Sequence, residues 1–113
     1  MKKCKLHIND KDYLLGLNRN AIKWLEAQGF NIADFDNKPT TYYDLLWVSL
    51  FIANHPEVNP NLAMKLYETY EEKEGSEMIA EVIKFAIGEY SAFIHALAGT
   101  NSEKKKKLEI IED

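Results

Sequence analysis

The sequence is poor in the residues that build redox, metal and phosphate sites. Cys4 is the only cysteine in the 113 residues, which excludes an internal disulfide and a site with several cysteine ligands. The five glycines are scattered as terminators, so no glycine-rich loop is available to hold a phosphate. Arg19 is the only arginine among 14 basic residues, and arginine is the bidentate group that phosphate recognition prefers. Nucleotide binding therefore has no support, and a reducing, cytoplasmic location is expected.

Charge and hydropathy argue against two further classes of partner. The formal net charge is −4, so the field of the molecule repels phosphate backbones and anionic lipid. The most apolar stretch, residues 42–53, is well short of the roughly 20 residues that span a bilayer. Six glutamates near the last predicted turn are interpreted as a solvated face rather than as an ion site or a docking patch. They are Glu68, Glu71, Glu72, Glu74, Glu77 and Glu81.

The histidines and carboxylates show no catalytic pattern. His7, His55 and His95 fall on separate predicted elements, without a second His or Cys at a metal-ligand spacing. We expect His95 to be packed and hydrogen-bonded, and His55 to end a helix before Pro56. The clustered glutamates are all expected to be solvated, whereas general acid–base catalysis needs two carboxylates in unlike environments. No catalytic residue, metal or cofactor is predicted, and the chain is not expected to be an enzyme.

The start of the chain predicts a β-hairpin over residues 3–17. Polar and apolar residues alternate in its first strand, as in a half-buried strand. Residues 9–12 supply the turn through short Asx side chains, and residues 13–17 form the return strand. A lone hairpin is only marginally stable, so this one must lie on helices or pair with another chain.

Apolar residues at helical spacing predict four helices after the hairpin. Asn18 or Asn20 caps the first helix, and Gly29 ends it in the left-handed conformation. Asn59 and Pro60 begin the third helix after a proline break. The helices are predicted at residues 20–28, 42–54, 60–74 and 77–98.

Two local features carry further expectations. Residues 31–39 are predicted to form a loop that directs Ile32 and Phe35 inward. Gly88, inside the last helix, is interpreted as the mark of a close helix crossing or a bend.

The predicted fold is α+β and mainly α, with an N-terminal β-hairpin followed by about four helices. It forms a single domain over residues 1–99, of which 18–99 are the helical part. Residues 100–113, with four consecutive lysines from Lys104, are predicted to be a mobile tail.

Apolar side chains exceed what one core of this size requires. Aromatic residues make up 12% of the chain, and residues 42–53 are apolar almost all round a helix. A helix normally gives one stripe to the core. For any single residue, burial in the core remains the commoner interpretation. Taken together, the surplus favours a homo-oligomer or a partner-binding groove.

Five segments follow one another in an informative order. They are Leu6-His7-Ile8-Asn9-Asp10-Lys11-Asp12-Tyr13, then Leu17-Asn18 with Ala21-Ile22 and Leu25-Glu26, the apolar residues 45–53, His55-Pro56 with Asn59-Pro60-Asn61, and Tyr90-Ser91-Ala92-Phe93. In this order the chain resembles the tail assembly chaperones of long-tailed phages and prophages. The likeness covers roughly residues 5–97 and rests on apolar positions and turns.

That resemblance implies a non-enzymatic chaperone that binds the tape measure protein during tail assembly, with the tail tube protein as a further contact. A tape measure protein is long and helical, and its apolar faces must be covered before the tube encloses it. The residues inferred from pattern as the covering surface are Trp47, Leu50, Phe51, Phe85 and Phe93. The alternative is a small acidic helical regulatory or antitoxin-like protein that inhibits a toxin or a repressor.

Overall fold

A two-stranded antiparallel hairpin and five helical segments make up residues 1–99, the part of the chain that this computed structural model describes. The fold is α+β and mainly α, as the sequence predicts. No helix within these residues is long and apolar enough to cross a membrane. The predicted tail, residues 100–113, lies outside the described residues. The elements are β1 (Lys3–Ile8), β2 (Lys11–Gly16), α1 (Arg19–Ala27), a 3₁₀ helix (Ile32–Asn37), α2 (Pro39–Ile52), α3 (Pro60–Glu74) and α4 (Ser76–Gly99).

The hairpin turns in two residues, fewer than the sequence suggests. Ile8 pairs with Lys11, so Asn9 and Asp10 alone form the loop, at φ values of 53° and 62°. A two-residue loop with positive φ at both positions matches the twist of the strands, and Asn and Asp tolerate that conformation. β2 therefore begins before the predicted return strand.

Local hydrogen bonds define both ends of α1. The Asn18 Oδ1 accepts from the backbone N–H of Ala21 at 2.8 Å, which identifies the cap that the sequence leaves open. Gly29 takes a φ of 82°, and the N–H of Phe30 donates to the Leu25 carbonyl at 3.0 Å. This is the glycine-terminated end that the sequence predicts, and it turns Phe30 into the core.

The segment before α2 differs from the predicted loop. It contains a 3₁₀ helix, and Pro39 then begins α2, three residues before the predicted start, because a first-turn N–H needs no helical partner. Phe35 is half-buried, with its ring centroid 6.1 Å from that of Tyr42. Ile32 is 38% exposed, so its predicted inward position is wrong: the short helix places only one side against α2, and Phe35 takes that side.

α2 is the central helix of the fold. It contacts α1, α3, α4, β2 and the 3₁₀ helix. Six consecutive residues, from Leu46 to Phe51, are buried, and at 3.6 residues per turn they cover the whole circumference. The helix is apolar all round because it has neighbours all round.

This arrangement corrects the interpretation of α2 as spare surface. Trp47, Leu50 and Phe51 are each 0% exposed, so these three predicted partner-binding residues belong to the core of the monomer. Only a helix on the outside of a bundle gives a single apolar stripe to the core. α2 lies inside the bundle, so its whole circumference is buried. Phe85 and Phe93, the other two, lie on α4 and are half-buried.

Trp47 connects α2 to α3. Its Nε1–H donates to the Ala63 carbonyl at 2.7 Å in a buried environment. Its ring centroid lies 5.3 Å from that of Tyr67, 5.8 Å from Tyr70 and 5.5 Å from Phe51. The indole therefore buries its polar atom with a partner, and each ring contact adds to the stability that burial alone provides.

Gly88 does not mark a close crossing. A Cβ added at this position would meet no atom within 4 Å, and α4 continues through it as one helix. The predicted crossing is therefore wrong, and the residue lies on the exposed side of the helix.

Replacing Phe51 by alanine should lower the free energy of unfolding by about 3–5 kcal/mol, because a fully buried ring is lost and a cavity remains. Phe93→Ala, at a half-buried ring, is the matched control and should cost markedly less. Urea denaturation of both variants measures the difference. Equal losses would contradict the central position of α2.

Gly88→Ala should raise the free energy of unfolding by about 0.5–1 kcal/mol, since alanine is the better helix former and the added methyl group meets open space. Gly29→Ala should lower it, because Gly29 has a φ of 82° that alanine adopts only with strain. Thermal melts of the two variants, beside the parent chain, test this opposition in sign. A destabilised Gly88→Ala variant would mean that this face of α4 is packed.

Candidate functional site

The distal half of α4 has apolar side chains without a core to enter. Tyr90 is its last buried residue, with its ring centroid 5.0 Å from that of Phe30 in an edge-on contact. From residue 91 to residue 97 no side chain is buried. Ile94 is 37% exposed and Leu97 is 55% exposed. The apolar stripe of the helix thus continues past its last fully buried residue, with only Phe93 still partly packed against the core.

Phe93 forms the shared wall of two open grooves on this half of α4. The first, the α1 groove, is lined by Arg19, Ile22, Lys23, Glu26, Phe93 and Leu97. The second, the N-terminal groove, is lined by Met1, Lys2, Glu89, Ala92, Phe93 and Ala96. One aromatic side chain therefore borders both grooves.

A hydrogen bond holds the start of the chain against α4. The backbone N–H of Lys2 donates to Oε1 of Glu89 at 2.6 Å. Beside this contact the helical wall of the N-terminal groove carries the small side chains of Ala92 and Ala96 next to the Phe93 ring. Phe85 precedes Glu89 by four residues and so shares its face of the helix. The half-buried Phe85 ring lies on the same side of α4 as this groove.

The charged residues at the rims of the grooves are more basic than the chain as a whole. Arg19 and Lys23 face the α1 groove with Glu26, and Lys2 faces the N-terminal groove with Glu89. Three cations against two carboxylates give these rims a positive balance, whereas the chain has a formal net charge of −4. A partner with acidic side chains beside an apolar stripe is the better electrostatic match.

Two of the five predicted partner-binding residues lie at or near this surface. Phe93 borders both grooves and Phe85 lies on the adjoining face, while the other three are in the core. Met1 and Arg19 also line the two grooves, and neither was predicted from the sequence. No local sequence pattern predicts their positions, since their approach to α4 depends on how distant segments of the chain pack.

The histidines occupy structural or exposed positions. His55 accepts the Leu14 N–H through Nε2 at 3.1 Å, and its Nδ1 lies 3.2 Å from Oε2 of Glu57. It therefore joins the end of α2 to β2, beyond the helix-ending role that the sequence predicts. His95 is exposed rather than packed, because α4 has no core to enter there. Among the described residues, no three His, Cys, Asp or Glu side chains are grouped to hold a metal ion.

Burial raises the pKa of several side chains outside the grooves, and two of them, Cys4 and Asp44, bear on chemistry or stability near neutral pH. It raises the pKa of the Cys4 thiol, so little of the nucleophilic thiolate exists at neutral pH. It also raises the pKa of the Asp44 carboxyl on α2. Within residues 1–99 Asp44 has no hydrogen bond or ion pair that would compensate for its loss of hydration. Ionisation of Asp44 is therefore less favourable in the folded chain than in the unfolded chain.

Comparison with known proteins identifies a family. A family described as a domain of unknown function (DUF5055) matches residues 1–111. Because the match spans nearly the whole chain, the protein belongs to this family. No curated protein and no solved structure matches the chain.

Asp44→Asn should raise the free energy of unfolding at about pH 7 by a few tenths of a kcal/mol, the usual scale for a partly exposed position. The pKa of Asp44 is higher in the folded chain than in the unfolded chain, so its penalty is present above the folded pKa and disappears below the unfolded pKa. The advantage of the variant should therefore vanish at about pH 3. Urea denaturation at both pH values measures it. An advantage that persists unchanged in acid would exclude ionisation as the cause.

Proposed function

We propose that this DUF5055 protein is a non-enzymatic phage or prophage tail assembly chaperone, which binds the tape measure protein in the cytoplasm of the bacterial host. The observation that carries the proposal is the apolar side of distal α4, where the described residues cover Phe93 only in part and leave Ile94 37% exposed. The order of elements that resembles the tail assembly chaperones supports the same function.

The geometry of the N-terminal groove suits a helical ligand. Ala92 and Ala96 are four residues apart on its helical wall, and small side chains at that spacing let a second helix approach closely. Phe93 borders the small residues with aromatic surface, and the half-buried Phe85 lies two turns earlier on α4. An amphipathic helix that binds along such a groove buries its apolar face. A tape measure protein requires this cover for its apolar faces before the tube encloses it.

The mode of action proposed here is protection rather than chemistry. Each chaperone covers one segment of apolar helix, so several copies are required along a long tape measure protein. The tail tube protein is the natural second contact, because the tube displaces the chaperone as it encloses the same helix. In the absence of ligand, we expect the chaperone to self-associate through the exposed surface of α4.

The position of the gene gives the first test. A tail assembly chaperone should be followed closely by a very long open reading frame that encodes a helical protein. A short basic partner beside the gene would instead favour an antitoxin-like inhibitor. Metabolic neighbours would contradict both.

Phe93→Ser should weaken capture of the downstream helical protein by at least about tenfold, because interface energy concentrates in a few aromatic anchors. Ile94→Ser, at a residue 37% exposed, should also weaken it. Ile32→Ser is the matched control, since Ile32 is 38% exposed but lies on the 3₁₀ helix. Co-purification after co-expression measures binding, and sedimentation of each variant alone measures self-association.

The melting temperature separates loss of binding from loss of folding. All three serine variants should melt within a few degrees of the parent chain, because each replaced side chain is partly exposed. Retained capture by Phe93→Ser and Ile94→Ser would place the ligand elsewhere and overturn the proposed surface. Losses of capture that only follow losses of stability would do the same.

A further inference from the structure

The hairpin has two outer edges, and the structure closes one of them. On β2 the Leu14 N–H donates to Nε2 of His55 at 3.1 Å, and the Leu14 carbonyl accepts from Nδ2 of Asn54 at 3.3 Å. Both backbone groups of Leu14 therefore point away from β1. The turn that follows α2 supplies their partners and covers this edge at Leu14.

Strand alternation then identifies the outward groups of β1. Lys5 pairs with Leu14 in the antiparallel register, and Leu14 forms its hydrogen bonds outward, so the two are a non-hydrogen-bonded pair. Pair types alternate along an antiparallel ladder, so the Lys3–Gly16 and His7–Asp12 pairs, two residues away, are also non-hydrogen-bonded. Lys3, Lys5 and His7 therefore direct their N–H and carbonyl groups outward. Within residues 1–99 no other element forms a hydrogen bond with these outward groups. The edge of β1 therefore has no hydrogen-bonded partner within these residues, although α3 also contacts the strand.

The side chains along this edge define the chemistry of a ligand. Lys3, Lys5 and His7 are exposed on the solvent face of the strand, while Leu6 and Ile8 are buried on the other face. His7 already pairs with Asp12, with Nδ1 and Oδ1 2.8 Å apart. Lys3 and Lys5 form no ion pair within the described residues. The open backbone groups are thus bordered by two lysines without a close ion pair, of which Lys5 also interacts at longer range with the Asp12 carboxylate.

A second copy of the chain is a poor occupant of this edge. Antiparallel pairing of two β1 strands about a two-fold axis centred on Lys5 would place the two Lys5 side chains opposite each other. Like charges directly opposite destabilise a strand pair, and lysine on an edge is a common protection against self-pairing. The same lysines favour a strand that carries carboxylates.

We propose that the free edge of β1, at Lys3, Lys5 and His7, binds an extended acidic segment of a partner protein by strand addition. The segment alternates Asp or Glu on the solvent face with apolar residues on the face towards the core, because side chains alternate along a strand. Main-chain hydrogen bonds hold it, and the lysines select its charge. This interaction is independent of the helix groove on α4 and of the chaperone function.

Hydrogen exchange of the full chain, followed by NMR with a blocked peptide Glu-Val-Glu-Ile-Glu-Val as the probe, tests the proposal. In the free protein the outward amides of Lys5 and His7 should exchange rapidly, whereas the inward amide of Leu6 should be protected. Saturating peptide should slow exchange at Lys5 and His7 by at least about tenfold. The peptide Lys-Val-Lys-Ile-Lys-Val, of the same length and apolar residues, should give no protection.

Lys5→Pro removes one outward N–H, and an edge strand tolerates proline where the N–H faces solvent. The variant should retain its melting temperature and bind the acidic peptide at least about tenfold more weakly. Lys5→Gln, which keeps the N–H and removes only the charge, is the matched control and should lose less. Peptide binding that is equal in the parent chain and in Lys5→Pro would overturn the proposal.

Three further outcomes count against an external acidic strand. Slow exchange at Lys5 and His7 in the free full chain would mean that the edge is already occupied, for example by residues 100–113. A dimer that Lys5→Pro dissociates in sedimentation would identify a second copy as the occupant. Unchanged exchange of the parent chain at saturating acidic peptide would overturn the proposal even if Lys5→Pro failed to fold.

Discussion

The burial of α2 on all sides is the constraint from which the rest of the structure follows. A helix whose whole circumference is apolar is stable in water only when other elements surround it. Here three helices, β2 and the 3₁₀ helix supply that cover. The hairpin gains its stability in the same way, since β2 lies on α2 and is joined to it through His55 and Asn54. A hairpin that would be marginal alone becomes one wall of the core.

Because α2 is enclosed, the apolar surface that the core does not use lies on α4. Trp47, with its buried hydrogen bond to Ala63 and its ring contacts, belongs to the core. α4 packs its apolar residues as far as Tyr90 and continues beyond that point with Phe93 and Ile94 only partly covered. Total apolar content is therefore a poor guide to which helix carries an interface. The decisive property is where along its length a helix loses its neighbours.

Sequence pattern predicted the elements that local chemistry determines and failed where packing decides. The Gly29 end of α1 was predicted, and its cap was narrowed to Asn18 or Asn20, because short-range hydrogen bonds and backbone conformation specify such positions. The exposure of Ile32 was not, since it depends on which side chain of the 3₁₀ helix meets α2. Two of the five predicted surface residues lie near the α4 grooves. Met1 and the other distant lining residues have no local signal, because only tertiary contacts bring them to α4.

Net charge gives an equally incomplete guide to local recognition. The formal charge of −4 argues against phosphate backbones at a distance, but a docked partner meets the charges of one surface only. Glutamates dominate residues 68–81, at the junction of α3 and α4, whereas cations gather around the start of the chain and α1. The Lys2–Glu89 hydrogen bond fixes the start of β1 against α4, so the basic strand edge begins beside the N-terminal groove, in which Lys2 and Glu89 balance each other in charge. The cations around the start of the chain and α1 are Lys2, Lys3, Lys5, Arg19 and Lys23. The net charge therefore does not describe the surface that a docked partner meets, and the acidic segment proposed for the β1 edge would meet cations there.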